Sequence, residues 1–134
     1  MLNKIQISLL LILSSFGAVS QPCKDLVEDS SMYSVSMIYD DIVSLMYTYS
    51  DVLKVDVLGR SEFGQAIPIL TIENKAGDNI KKPVLLVGNL HAREFFSSKF
   101  VMKFTNQFLL SLSNSNCVYK DAYRFLDEYV FYIV

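Results

Sequence analysis

The chain has 134 residues, of which 51% are hydrophobic and 19% charged. A chain this apolar can bury a core, which excludes an intrinsically disordered protein. Lys and Arg number 12 against 14 Asp and Glu, so the net charge is −2. Without blocks of basic residues, the composition argues against a nucleic-acid partner or a polybasic membrane-binding face. The length is that of a single domain.

The N-terminus has the pattern of a secretory signal peptide. A basic residue precedes an apolar run over residues 5–13, and the small residues Ala18 and Ser20 suit cleavage after Ser20. The run is shorter than the roughly 20 apolar residues that a membrane span needs. We therefore expect a secreted protein without a membrane span, in which residues 1–20 are the signal peptide and residues 21–134 the mature chain.

The two cysteines leave their pairing open. In an oxidising compartment Cys23 and Cys117 could form a disulfide across most of the mature chain. Cys23 follows the predicted cleavage site and Cys117 follows a polar run, so either could equally be free or pair with another chain.

The first half of the mature chain predicts a helix followed by a hairpin. Apolar residues recur at spacings of three and four over Met37–Tyr49, as in an amphipathic helix. Val52–Leu58 alternates as a half-buried strand does, and Gln65–Glu73 is again apolar. The segment between them, Gly59–Gly64, is a turn bracketed by glycines, so we expect an antiparallel hairpin.

The second half alternates strands with helices. The continuous apolar run Val84–Val87 predicts a strand buried on both faces. A long helix is predicted over about Phe95–Leu112, a short one over Val118–Leu126, and a final strand over Tyr129–Val134. The long helix carries an apolar stripe that we assign to core packing: Phe96, Phe100, Val101, Phe104, Phe108, Leu109 and Leu112.

These elements predict an α/β fold with a mixed, mainly parallel sheet and flanking helices. The sequence ends inside an aromatic and β-branched strand without a polar tail, so we expect the fold to be truncated after about its fourth strand. Tyr129–Val134 would then be an uncovered edge strand of high β-propensity, which predicts aggregation.

The chain's one histidine, His91, follows the predicted strand Val84–Val87, and Glu94 stands three residues later. Ligands bind α/β sheets in the crevice beyond the carboxyl ends of strands. An imidazole nitrogen and a carboxylate at such a junction can converge on a cation and suit Zn²⁺. Two residues do not complete a zinc site. The alternative is that His91 is an ordinary loop histidine and that Glu94 favours the start of a helix.

Two ordered segments resemble the zinc metallocarboxypeptidases of the carboxypeptidase A/B type. One is the glycine-bracketed segment continued to Ile67, with its G-R-S-x-x-G pattern, and the other is Gly88–Ser97, with its H-x-R-E pattern. The resemblance extends over roughly Met37–Val134 and includes a leading helix that ends at Tyr49–Ser50.

The resemblance implies that His91 and Glu94 are two zinc ligands and that Arg93 binds substrate. A guanidinium there has forked donors suited to a peptide carbonyl or carboxylate. The resemblance also implies Zn²⁺ as cofactor and hydrolysis of C-terminal residues from peptides or proteins. The third ligand, a second histidine, and the glutamate that acts as general base are absent from these 134 residues. We therefore assign no catalytic residue here and expect the chain by itself to be inactive and to bind zinc poorly.

A second hypothesis is a non-catalytic secreted binding protein, a relic that retains the front half of the fold. A reading frame that continues beyond Val134 with a later histidine and glutamate would favour the enzyme, whereas a stop codon there would favour the relic. The residues that would select the substrate's C-terminal side chain are not in this sequence, and the oligomeric state is not indicated by it.

Overall fold

The computed structural model describes residues 33–76, 80–91, 93–113 and 121–134. The predicted signal peptide and both cysteines, Cys23 and Cys117, lie outside the described residues. The elements in chain order are α1 (Val35–Thr48), β1 (Leu53–Arg60), β2 (Ala66–Ile72), β3 (Lys82–Leu86), α2 (Phe95–Ser113), α3 (Ala122–Glu128) and β4 (Tyr129–Ile133). None of the helices in these ranges is both long enough and apolar enough to cross a membrane.

Helix α1 begins two residues earlier than the sequence pattern predicted because Ser34 caps it. The Ser34 hydroxyl accepts a hydrogen bond from the Met37 amide at 3.3 Å, which satisfies one of the amides that a helix N-terminus leaves unpaired. The apolar face buries Ile42 and Leu45, as the three- and four-residue spacing predicts. Just before the helix, the Tyr33 hydroxyl donates to Asp41 Oδ2 at 2.6 Å.

The predicted antiparallel hairpin is confirmed. Strands β1 and β2 pair in register from Leu53 opposite Ile72 to Arg60 opposite Ala66, with a shift between Val57 and Gly59. The turn is shorter than predicted because Gly59 lies within β1. Only the second glycine of the bracket, Gly64, has the positive φ, 77°, that favours glycine.

The four strands form one mixed sheet in the order β1-β2-β4-β3. Strand β4 pairs antiparallel with β2 and parallel with β3, so the β3–β4 pair supplies the parallel part of this sheet. The prediction that Tyr129–Val134 is an uncovered edge strand is wrong, because β4 lies between two partners. Its high content of aromatic and β-branched residues matches this interior position.

The prediction that Val84–Val87 is buried on both faces is also wrong. Strand β3 spans Lys82–Leu86 and pairs on one side with β4; among the described residues it has no partner on its other side. Leu85 is 63% exposed, and Val84 is only half-buried. A continuous apolar run specifies a strand with two apolar faces, but whether those faces are covered depends on distant segments.

Both long helices pack over the same face of the sheet. Ile42 of α1 and Met102 of α2 line one cavity together with Leu70 and Ile133, which are cross-strand partners in β2 and β4. The aromatic ring of Phe108 lies 5.0 Å from that of Phe131 in β4, centroid to centroid. Buried residues of all three helices and of β1, β2 and β4 join in one core.

The phenylalanine stripe of α2 is core only toward its C-terminal end. Phe108 is buried, whereas Phe96 and Phe100 are 71% and 65% exposed. A helix turns by about 100° per residue, so four positions spaced by four residues drift by about 120° around it. Leu109 and Leu112 of the predicted stripe are buried in the core, and the packing face also includes Met102, which the predicted stripe did not contain.

The buried polar residues of α2 were not predicted, and Asn106 is the one without a hydrogen-bond partner among the described residues. Asn106 is 1% exposed, and neither side-chain amide atom has a hydrogen-bond partner among the described residues. Its neighbour Thr105 is also buried, but its hydroxyl donates to the Val101 carbonyl at 2.8 Å. An unpaired buried amide typically costs about 1–3 kcal/mol of stability.

Candidate functional site

The candidate residues lie in the loop between β3 and α2, at the carboxyl end of the parallel strand pair. The β3–β4 ladder continues one step past the strands, since the Gly88 amide donates to the Val134 carbonyl at 2.8 Å and the Val134 amide to the Leu86 carbonyl at 2.9 Å. His91 follows directly beyond this point and is exposed. This is the end of a parallel strand pair at which α/β sheets place ligands.

Backbone hydrogen bonds fold the His91–Glu94 segment into a turn. The Glu94 amide donates to the His91 carbonyl at 2.9 Å, and the Ser97 amide donates to the Glu94 carbonyl at 2.8 Å. The second bond leads directly into α2. His91 and Glu94 therefore share one turn at a strand-to-helix junction, and both side chains are exposed.

Gly88 and Asn89, which precede His91, allow the loop to approach helix α2. Asn89 has a φ of 50°, in the left-handed region that asparagine tolerates better than most residues. A Cβ at Gly88 would stand 3.1 Å from Ser98 Cα, so the backbone passes the start of α2 at a distance that is tight for any residue other than glycine. The Gly88-Asn89 dipeptide marks this turn in the sequence, but the close approach to Ser98 is not visible there.

The donor set fits zinc in kind but not in number. An imidazole nitrogen and a carboxylate oxygen are both zinc ligands, and catalytic zinc sites use three protein ligands and a water. Among the described ranges there is no group of three or more His, Cys, Asp or Glu residues that could hold a metal ion. His91 and Glu94 are therefore the residues that could contribute to a zinc site, and their role as ligands stays a prediction.

Arg93 is exposed beside Glu94 in the same turn. A guanidinium presents several N–H donors in a plane, which matches a carboxylate or a peptide carbonyl. Its position next to the two candidate ligands is compatible with the substrate-binding role that the resemblance implies, and that role also stays a prediction.

A cavity of about 470 Å³ opens beside the loop, between α1 and α2. Its lining is mainly apolar and includes Leu70 and Ile133 from the sheet, with Asn89 and Ser98 on the side of the loop. His91, Arg93 and Glu94 are not among its lining residues. The cavity is thus adjacent to the candidate site but separate from it.

Comparison with known proteins decides the family. A profile described as zinc carboxypeptidase matches residues 38–134. The chain belongs to the zinc carboxypeptidase family. The matched span agrees with the Met37–Val134 region over which the sequence resembles that family, and His91, Arg93 and Glu94 all lie inside it.

Solved structures confirm the fold of this zinc carboxypeptidase-family chain. Thrombin activatable fibrinolysis inhibitor is similar with a TM-score of 0.67 and 23% identity, over 82% of this chain and 28% of that one. A metallo-carboxypeptidase from Burkholderia cenocepacia is similar with a TM-score of 0.64 and 20% identity, over 76% of this chain and 26% of that one. The predicted α/β fold, with a mixed sheet and flanking helices, is therefore confirmed as part of a carboxypeptidase fold.

A curated relative of this family member is the gamma-D-glutamyl-L-diamino acid endopeptidase 1 of Lysinibacillus sphaericus. It is 30% identical over 93 residues, which are 69% of this chain and 22% of the relative. The chain thus spans about a quarter of the length of the proteins it matches.

Proposed function

We propose that this chain contributes two zinc ligands and a substrate-binding arginine to a secreted zinc carboxypeptidase that removes C-terminal residues from peptides or proteins. The observation that carries the proposal is the turn at the carboxyl end of β3, which holds His91 and Glu94 three residues apart at the start of α2. The family match over residues 38–134 supports it.

Each residue has a distinct part in the proposal. His91 and Glu94 bind the metal through an imidazole nitrogen and a carboxylate oxygen. Arg93 orients the substrate by donating to its carbonyl or carboxylate oxygens. When bound, zinc supplies Lewis-acid polarisation of a carbonyl and lowers the pKa of a water. A third ligand and a general base have to come from residues other than those described.

Zinc binding by the full 134-residue chain tests the metal assignment. Because only two ligands are present, we expect calorimetric titration with ZnCl₂ to detect weak binding, which His91→Ala and Glu94→Gln each abolish. The matched control is Glu128→Gln, which neutralises an exposed carboxylate at the end of α3 and should bind zinc as the unmodified chain does. Equal zinc affinity in all four proteins would refute the assignment.

Peptidase activity distinguishes the two functional hypotheses. We expect no release of C-terminal residues by this chain alone, and EDTA-sensitive release by a longer product of the same reading frame that adds a histidine and a glutamate. If a longer product binds peptide C-termini without cleaving them, the non-catalytic binding protein is favoured instead.

Secretion has its own test. Expression of the chain in a secretory host should place the protein in the medium with Gln21 as its first residue, because Ala18 and Ser20 suit a signal peptidase. Recovery from the cells with residues 1–20 intact would contradict this part of the proposal.

A further inference from the structure

Ser97, in the first turn of α2, connects both ends of the loop that contains the candidate ligands. Its hydroxyl accepts a hydrogen bond from the Asn89 amide at 2.6 Å and donates one to the Glu94 carbonyl at 2.6 Å. Asn89 is the residue at which the chain leaves the β3–β4 ladder, and Glu94 is the residue before the helix. One side chain thus closes the segment from Asn89 to Glu94 into a ring.

The two hydrogen bonds constrain the segment more than a helix start requires. A serine in the first turn of a helix can bond to local backbone groups without contacting a preceding strand. Here the Asn89 amide is eight residues from Ser97 in sequence, and Asn89 adopts a φ of 50°. The bond to Ser97 gives this amide an acceptor and holds the left-handed residue in place.

Close packing at Gly88 places the two partners within reach. The backbone of Gly88 passes so near to Ser98 that a Cβ would lie 3.1 Å from Ser98 Cα and 3.4 Å from the Ser97 carbonyl oxygen. Ser97 itself is half-buried. The hydroxyl therefore lies between the strand exit and the helix start, within hydrogen-bond distance of both.

We propose that Ser97 is a positioning residue whose hydroxyl sets the separation and orientation of His91 and Glu94 for metal binding. The inference rests on the proposed function, because it assigns Ser97 a task only if these two residues bind zinc. Groups that orient metal ligands without contacting the metal commonly change metal affinity by about 10- to 100-fold when removed.

The test compares Ser97→Ala, Ser97→Thr and Ser44→Ala in the full chain, with Zn²⁺ as the probe. Ser44→Ala is the matched control, since Ser44 also donates its hydroxyl to a helix carbonyl, that of Asp40 at 3.0 Å, but in α1. We expect Ser97→Ala to raise the zinc dissociation constant about tenfold or more. Ser97→Thr retains a hydroxyl and should restore the affinity to within about threefold, and Ser44→Ala should leave it unchanged.

Hydrogen exchange provides the second measurement and separates two kinds of failure. The Asn89 amide should exchange faster in Ser97→Ala, with or without zinc, and as in the unmodified chain in Ser44→Ala. If the unmodified chain binds no zinc, the proposed function fails and the inference fails with it. If the unmodified chain binds zinc but Asn89 exchange is unchanged in Ser97→Ala, the inference alone fails. Unchanged zinc affinity in Ser97→Ala, or equal weakening by Ser44→Ala, would also overturn it.

Discussion

Replacement of Gly88 by alanine tests the close approach on which the candidate site depends. The added Cβ would lie 3.1 Å from Ser98 Cα, 3.3 Å from Ser98 N and 3.4 Å from the Ser97 carbonyl oxygen. All three are backbone atoms, so no side chain can rotate away to make room. The loop after β3 or the first turn of α2 must move by a few tenths of an ångström, and the Asn89–Ser97 hydrogen bond must lengthen or bend.

The size of the effect follows from two opposed contributions. Inserting a methyl group into a packed site costs about 1–3 kcal/mol, whereas replacing glycine by alanine in a compatible backbone stabilises by about 0.4–1 kcal/mol through the unfolded chain. Gly88→Ala should therefore lower the free energy of unfolding by about 1–2 kcal/mol. Gly59→Ala is the matched control, because a Cβ at Gly59 meets nothing within 4 Å, and it should be neutral or slightly stabilising.

Equilibrium unfolding in urea, followed by circular dichroism, measures both variants against the unmodified chain. Calorimetric titration with ZnCl₂ then shows whether the displaced loop also binds metal more weakly, as we expect for Gly88→Ala alone. If Gly88→Ala is as stable as Gly59→Ala, the contact with Ser98 is not tight in solution and the reasoning about this loop is refuted.

Three further predictions concern the core and the effect of Tyr33 ionisation on stability. Leu109→Ala, at a fully buried position of α2, should lower the free energy of unfolding by about 2–5 kcal/mol. Phe96→Ala, at an exposed position of the same helix, should lower it by less than about 1 kcal/mol. Similar losses in the two variants would contradict the assignment of the helix face that packs on the core. Asn106→Leu should leave the stability unchanged or raise it in urea unfolding, since it removes an unpaired buried amide, and a clear loss would show that this amide has a partner. Burial, with the hydrogen bond and charge of Asp41, raises the pKa of Tyr33 above 10.0. Because the folded state then holds the phenolic proton more tightly, this stabilisation is present below about pH 10 and is lost as the pH rises. Between about pH 8 and pH 11, the free energy of unfolding should fall more for the unmodified chain than for Tyr33→Phe. Equal falls in the two proteins would contradict the raised pKa of Tyr33.

Local periodicity was sufficient to predict the helices and strands and the position of the candidate site along the chain. The three- and four-residue spacing in Met37–Tyr49 and the alternation in β1 depend only on backbone geometry, which is the same in any fold. His91 and Glu94 could be assigned to a strand-to-helix junction because an apolar run precedes them and a helical pattern follows. The resemblance in the H-x-R-E segment then named the family, which the match over residues 38–134 confirms.

Strand order and burial were decided by contacts between distant residues. Tyr129–Val134 and Val84–Val87 are both apolar runs with the same local signal, yet β4 is interior and β3 lies at the edge of the four strands. No local pattern separates them, because the difference is which strands pair on each side.

The sequence by itself determined the helices, the hairpin and the position of the candidate site residues, since these follow from local spacing and residue type. Only the tertiary structure decided how the loop is held, because the hydrogen bonds of Ser97 and the contact of Gly88 with Ser98 join a strand exit to a helix start. Those contacts exist only after α2 packs over the sheet and brings its first turn against the end of β3.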